Sequence, residues 1–176
     1  MVQTELTLDD LEQMPDDFVH RELVNGELIE LPPPLFKHSE IAHNIYDSLS
    51  PFAKQRHLGS AFIEAGYKIT SDKRNFIEPD VSFVSTKRLD EDDKYLFGAP
   101  DLAIEVISPS ERPKHVLAKR AVLFENGCKE IWIVRPKTRK IEVWTPRGMD
   151  RVLGERDTLS SALFDGWSML VAEIFA

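Results

Sequence analysis

The sequence predicts an α/β fold in which a mixed central β-sheet is flanked by helices and preceded by an N-terminal β-hairpin. Three observations carry this. Asn25-Gly26, the dipeptide best suited to a two-residue hairpin turn, separates two segments of alternating apolar and polar residues. A strand, a crossover helix and a second strand follow one another between about residues 101 and 135, which places two parallel neighbours in one sheet. The second of those strands, EIWIVR, is continuously apolar, as expected for a strand covered on both faces. With 176 residues, 42% of them apolar, and no repeat or Gly/Ser linker, the chain reads as one domain, residues 1–176, with a sizeable core.

The elements follow in order. Residues 4 to 18 open with Thr7 and, three positions later, Asp10, a helix-start pattern; the helix is short and ends near Pro15. Residues 20 to 31 form the hairpin, and Pro32 to Pro34 stop its second strand. Ile41, Ala42, Ile45 and Leu49 recur at helical spacing over residues 38 to 50, and Pro51 kinks or ends that helix. Three strands come next: SAFIEAGYKIT, then FIEPDVSFV after the polar turn SDKRN, then DLAIEVI after a charged loop. A helix from about Lys114 to Asn126 is closed by Gly127. EIWIVR and KIEVW pair through the turn PKTR.

Thirty acidic and 22 basic residues leave a formal charge of −8, which weighs against tight binding of a polyanion. No apolar run approaches the roughly 20 residues that cross a bilayer, and the first residues lack the basic flank and apolar centre of a leader, so the expected location is the cytoplasm, with no membrane partner. Cys128 is the single cysteine, which excludes an intramolecular disulfide and a thiolate zinc cluster.

Two Pro-Asp dipeptides stand out, Pro79-Asp80 and Pro100-Asp101, the second followed by Glu105. Asp101 and Glu105 share a strand face but lie roughly 13 Å apart, too far to share an ion. Asp80 begins a neighbouring strand. Were the two strands paired at about 4.8 Å, Asp80 and Glu105 could converge on Mg²⁺ or Mn²⁺. Glu105 shares its face with Ala103 and Ile107, and a carboxylate in apolar surroundings calls for a compensating cation. Lys119 projects between Val122 and Leu123, and Arg120 between Leu123 and Phe124, so helical geometry does not choose between them.

These segments together resemble a known family. ELVNGELIELPPP with His38, EPDVSFV, PDLAIEVISPS, then Lys119, Leu123, Gly127 and EIWIVRP are similar to the Uma2 family (DUF820) of the PD-(D/E)XK nuclease superfamily, over about residues 20 to 144. The closing LFDGWSMLVAEIF is also similar. The resemblance implies a restriction endonuclease-like core, Asp80 and Glu105 as metal-binding carboxylates, and the backbone carbonyl of Val106 as a further ligand. The superfamily's lysine two residues after the second acid is absent, because Ile107 stands there; the family's spacing gives that role to Lys119 rather than Arg120. Glu22 matches a family glutamate that could complete the site, and His38 a residue near the cleft mouth. Leu123 replaces a common tyrosine and Cys128 a common valine, both at packing positions. The implied chemistry is Mg²⁺- or Mn²⁺-assisted hydrolysis of DNA phosphodiester bonds, with a homodimer as the family's assembly.

Plainer readings stand beside these. Asp80 after a proline is, by itself, ordinary turn chemistry. His38 and His43 diverge by about 140° on a helix, unlike zinc-binding pairs. Ser108 and Ser110 lack a nucleophile-elbow context and read as turn and cap residues; Cys128 reads as a small core residue. The acidic run 89–95 reads as a solvated loop beside the cleft, placed to repel DNA or meet a partner subunit. Two functions follow: a metal-dependent endonuclease, favoured by the intact acid, acid and lysine set, and a catalytically inactive dimeric interaction protein on the same scaffold, favoured by the acidity. For the first, Lys119, Arg120, Lys114 and Arg112 are expected to gather on one rim while the acids collect elsewhere.

Overall fold

The computed structural model describes residues 5–15, 17, 19–89, 95–109 and 111–176. Helix α1 (Leu8–Leu11) starts where the Asp10 carboxylate accepts hydrogen bonds from the Thr7 amide and hydroxyl, at 2.8 and 2.7 Å. Strands β1 (His20–Val24) and β2 (Glu27–Leu31) pair antiparallel around Asn25 and Gly26, whose φ angles of 53° and 76° are those a tight hairpin requires.

Helix α2 (Phe36–Gln55) is longer than its sequence suggested and continues through Pro51. The buried stripe of Ile41, Ala42, Ile45 and Leu49 extends past the proline to Ala53, so packing holds the last turn. Pro51 itself is exposed, on the side where water can take the carbonyl left without a donor.

Two segments expected to be single strands are each divided. SAFIEAGYKIT becomes β3 (Gly59–Ile63) and β4 (Tyr67–Lys68), broken at Glu64, whose φ is 49°. FIEPDVSFV becomes β5 (Phe76–Ile77) and β6 (Val81–Ser85), broken around Pro79, which has no amide for a ladder. In both cases the chain leaves one sheet for another. The remaining elements are β7 (Leu96–Phe97), β8 (Leu102–Val106), α3 (Pro113–Glu125), β9 (Glu130–Arg135), β10 (Lys140–Thr145), β11 (Gly148–Leu153), β12 (Thr158–Ser160), β13 (Ser168–Leu170) and α4 (Val171–Ile174). Those after residue 145 carried no legible pattern.

A six-stranded sheet runs β11-β10-β9-β8-β6-β3, antiparallel except for the β8–β9 pair that α3 connects. A second sheet of shorter strands runs β2-β1-β5-β4-β7, and β12 and β13 form a separate pair. Alternation along the central strands feeds two cores. Leu102, Ile104, Val106, Trp132 and Val134 face α2 and the C-terminal Phe164 and Trp167, with Trp132 stacked on Trp167 at 5.7 Å. Ala103, Ile131 and Ile133 face Val122 and Leu123 of α3 and Cys128, whose thiol burial pushes up to about 12. Helices thus cover both faces of the sheet. Among the described residues no helix is long and apolar enough to cross a membrane.

Candidate active site

The seam between the two sheets is where the chain breaks at Glu64 and Pro79 lie, tied together by the Glu64 amide donating to the Asp80 carbonyl at 3.2 Å. Register does the rest. Val81 pairs with Ile104, so Asp80 and Glu105 are successors on neighbouring strands at the end of the β6–β8 ladder. The Val106 amide donates to Asp80 Oδ2 at 2.6 Å, and His38 Nε2, from the first turns of α2, meets Oδ1 at 2.9 Å. The Ile107 amide points the other way, to the Val134 carbonyl, so alternation turns the Val106 carbonyl toward the Asp80 edge.

Glu105 projects to the α3 face and is 7% exposed. There Lys119 Nζ meets Glu105 Oε2 at 2.8 Å and Glu22 Oε2 at 3.0 Å. Glu22, from β1, is fully buried, and its Oε1 accepts the Glu78 amide at 2.8 Å. One ammonium therefore joins carboxylates from both sheets. The alternative that helical projection left open is resolved by packing: Arg120 turns away and lays its guanidinium 3.5 Å from the centre of the Trp144 ring.

Burial pushes the Glu105 carboxyl well above the usual range; Lys119 opposes this, while Glu22 and Asp80 add to it. Burial works against the Lys119 cation, but Glu105 and Glu22 override it and hold the ammonium well above the ordinary lysine range. Burial also works against the His38 imidazolium, and the Asp80 carboxylate outweighs it, so the pKa is raised.

A cleft of about 690 Å³ opens over these groups, walled by the hairpin and Pro32–Leu35 on one side and by Glu111, Arg112 and His115 on the other. Glu22, His38, Asp80, Glu105, Val106 and Lys119, the residues singled out from sequence, all line it. Glu64, Glu78 and Glu111 line it too and were not anticipated; Glu64 stays exposed at the cleft, whereas Glu78 and Glu111 look locally like solvent-facing acids and are half-buried only by the seam. Burial, then the neighbouring acids, raise the Glu78 and Glu111 carboxyls. The expected separation of charges is therefore corrected: acids gather in the cleft, Lys114 is taken by Glu27 at 2.8 Å, and Arg120 sits on Trp144. His43 is exposed. Ser110 and residues 90–94 of the acidic run lie outside the described residues.

Residues 8–172 match the model of the Uma2 family, described as "Putative restriction endonuclease". The chain belongs to the Uma2 family. No curated protein matches it. A solved structure of "a putative nuclease belonging to DUF820 from Anabaena variabilis" superposes with a TM-score of 0.84 at 21% identity, covering 97% of each chain. The likeness is one of fold and identifies the α/β architecture of this Uma2 chain as restriction endonuclease-like.

Among the described residues of this Uma2 protein, no three His, Cys, Asp or Glu side chains stand as a ready metal-ligand group. The donor chemistry nonetheless fits a hard divalent ion. Glu105 Oε1 is a buried oxygen that accepts no hydrogen bond, and Glu22 Oε2 has only its ion pair with Lys119. Asp80, Glu105 and the Val106 carbonyl offer oxygens only, and ions such as Mg²⁺ complete so small a protein set with water. The acid excess of the cleft lacks an equal number of cations: among the described residues, Arg112 and Lys119 are the only Lys or Arg that line it.

Proposed function

We propose that this Uma2 protein is a divalent-metal-dependent endonuclease that hydrolyses DNA phosphodiester bonds, with Asp80, Glu105 and the Val106 carbonyl holding Mg²⁺ or Mn²⁺. The observation that carries the reading is the convergence, at one seam, of Asp80, Glu105 and a buried Lys119 in a cleft with more carboxylates than cations. When bound, the metal supplies Lewis acidity to the phosphate and lowers the pKa of a coordinated water.

The chain's own groups have separable roles. Lys119, with its pKa raised, stays protonated at neutral pH, so it serves as a fixed cation facing developing phosphate charge and is unsuited to be the base. Its contact with Glu105 favours the carboxylate form that a metal needs. Glu22 balances the remaining charge of Lys119 and anchors the β5–β6 break through the Glu78 amide. His38 and the Val106 amide fix the two oxygens of Asp80.

Calorimetric titration of Mn²⁺ into the wild type, Asp80→Ala and Glu105→Ala, with a plasmid-nicking assay on each, tests the reading. Each variant is expected to lose at least about tenfold in Mn²⁺ affinity and to stop nicking. Equal affinity in all three would overturn the site. Binding without nicking by the wild type would instead favour a catalytically inactive, dimeric interaction protein, the reading that the acid-lined cleft also supports; sedimentation would then give the assembly.

A further inference from the structure

Resting on the nuclease reading, the geometry of α3 assigns a path to the substrate. We infer that the cleft-facing stripe Arg112, His115 and Lys119 is a track for successive phosphates of one nucleic-acid strand, with Arg112 binding a phosphate outside the scissile one and positioning the strand. His115 and Lys119, four residues apart, share one face of α3, Arg112 stands at its N-cap just before the first turn, and all three line the cleft. From Arg112 to Lys119 the axis rises about 10 Å, whereas a strand in a duplex carries one charge per about 3.4 Å of rise, so the stripe spans more than one phosphate.

Exposure grades along the stripe as a track leading inward would require. Arg112 is exposed, the His115 side chain is 15% exposed and the Lys119 side chain 5%. Lys119 is committed to Glu105 and Glu22. Arg112 is different: among the described residues its guanidinium has no ion-pair or hydrogen-bond partner, although Glu111 adjoins it in the cleft wall. His115 Nε2 is buried and makes no hydrogen bond; the nearest charge is Glu27 of the hairpin at 3.4 Å, which Lys114 also holds. A planar guanidinium without a partner, beside a ring nitrogen that makes no hydrogen bond and only a long ion-pair contact with Glu27, suits the oxygens of a phosphodiester. Because the rest of the cleft is acidic, a strand can enter only where these groups offset repulsion.

Anisotropy with a fluorescein-labelled single-stranded 12-mer, in Ca²⁺ and over a series of salt concentrations, measures binding apart from cleavage. Arg112→Ala is expected to weaken binding by about fivefold or more and to reduce the slope of log K against log salt by about 0.7, the loss of one phosphate contact. Arg112→Lys should restore most of the slope. Lys137→Ala, which removes the same charge from the β9–β10 turn, should leave the slope as it is. Mn²⁺ titration of Arg112→Ala should match the wild type, which separates the track from the metal site. Identical slopes for wild type and Arg112→Ala, equal losses in Arg112→Ala and Lys137→Ala, or no oligonucleotide binding by the wild type would each overturn the inference. Failure of Mn²⁺ binding and nicking by the wild type would overturn the nuclease reading instead.

Discussion

Lys119 is the residue on which the seam depends, since it is the buried cation between Glu22 on one sheet and Glu105 on the other. Lys119→Met keeps most of the volume and removes the charge, leaving two buried carboxylates without it. The expected loss of stability is about 3–5 kcal/mol at neutral pH. The pH dependence has a definite sign. A carboxyl whose folded pKa lies above its unfolded value favours the folded state while protonated and loses that contribution as pH rises. Burial already raises Glu105 in the wild type, and loss of the lysine raises it further. Urea midpoints of Lys119→Met should therefore fall farther below wild type at pH 8 than at pH 5, and adding Glu105→Gln should recover part of the loss at pH 8. Equal deficits at both pH values would mean that the pair is not electrostatically coupled. At the same scale the structure separates Lys119 from Arg120, which sequence spacing alone left equivalent: neighbours on a helix diverge by about 100°, and only the packed rotation of α3 determines which one reaches Glu105.

Among the elements, β6 is where the chain enters the six-stranded sheet from β5 of the other, and each of its ends is pinned by a specific contact. Asp101, assigned no metal on grounds of distance, proves to be a joint: Oδ2 accepts the Ser85 amide at 2.8 Å and Oδ1 meets Lys129 Nζ at 2.7 Å. Burial pushes its pKa up, yet Lys129 and the Ser85 amide hold it below the ordinary value. A depressed folded pKa contributes stability above the unfolded pKa and loses it as pH falls through the folded one. Asp101→Asn should thus melt at a lower temperature than wild type at pH 7, and the gap should close as pH falls through the lowered folded pKa of Asp101. A gap independent of pH would assign the loss to shape rather than charge. The β3–β6 pairing has its own test. At Gly59, with φ at 155°, an added Cβ would lie 2.1 Å from the Val84 carbonyl oxygen. Gly59→Ala should cost more than about 1 kcal/mol in a urea titration. No measurable loss would mean that the edge strand relaxes freely.

For the whole molecule, the −8 charge takes on a different meaning once its placement is known. Read from composition, it opposes a polyanionic substrate. Folded, Glu22, Glu64, Glu78, Asp80, Glu105 and Glu111 share one cleft, so the repulsion there is what a divalent ion would relieve. Binding of that kind must stabilise the folded state. With free Mn²⁺ at a hundred times Kd, the wild type should gain about 2.7 kcal/mol and melt about 5 °C higher or more, while Asp80→Ala should show no shift. A wild type whose melting temperature ignores Mn²⁺ would contradict the site.

By itself the sequence determined what depends on near neighbours along the chain. Asn25-Gly26 specified the hairpin because the turn is a property of two residues. Helical spacing marked the buried stripe of α2, and strand alternation placed Glu105 on an apolar face next to Ala103, both before any packing is considered. Strand spacing pointed to Asp80 and Glu105 and helical projection to Lys119 or Arg120; the resemblance of spaced motifs chose Lys119 and added Glu22, His38 and Val106, and the fold brings all six to one cleft. Only the tertiary structure decided that two apparent strands are four short ones in two sheets, that α2 survives Pro51, and that Glu78 and Glu111 are half-buried in the cleft wall. Each of these depends on which distant segment a strand pairs with or which core a helix packs against. A local period cannot encode that choice, because the same alternating residues satisfy either sheet until the partner strand arrives.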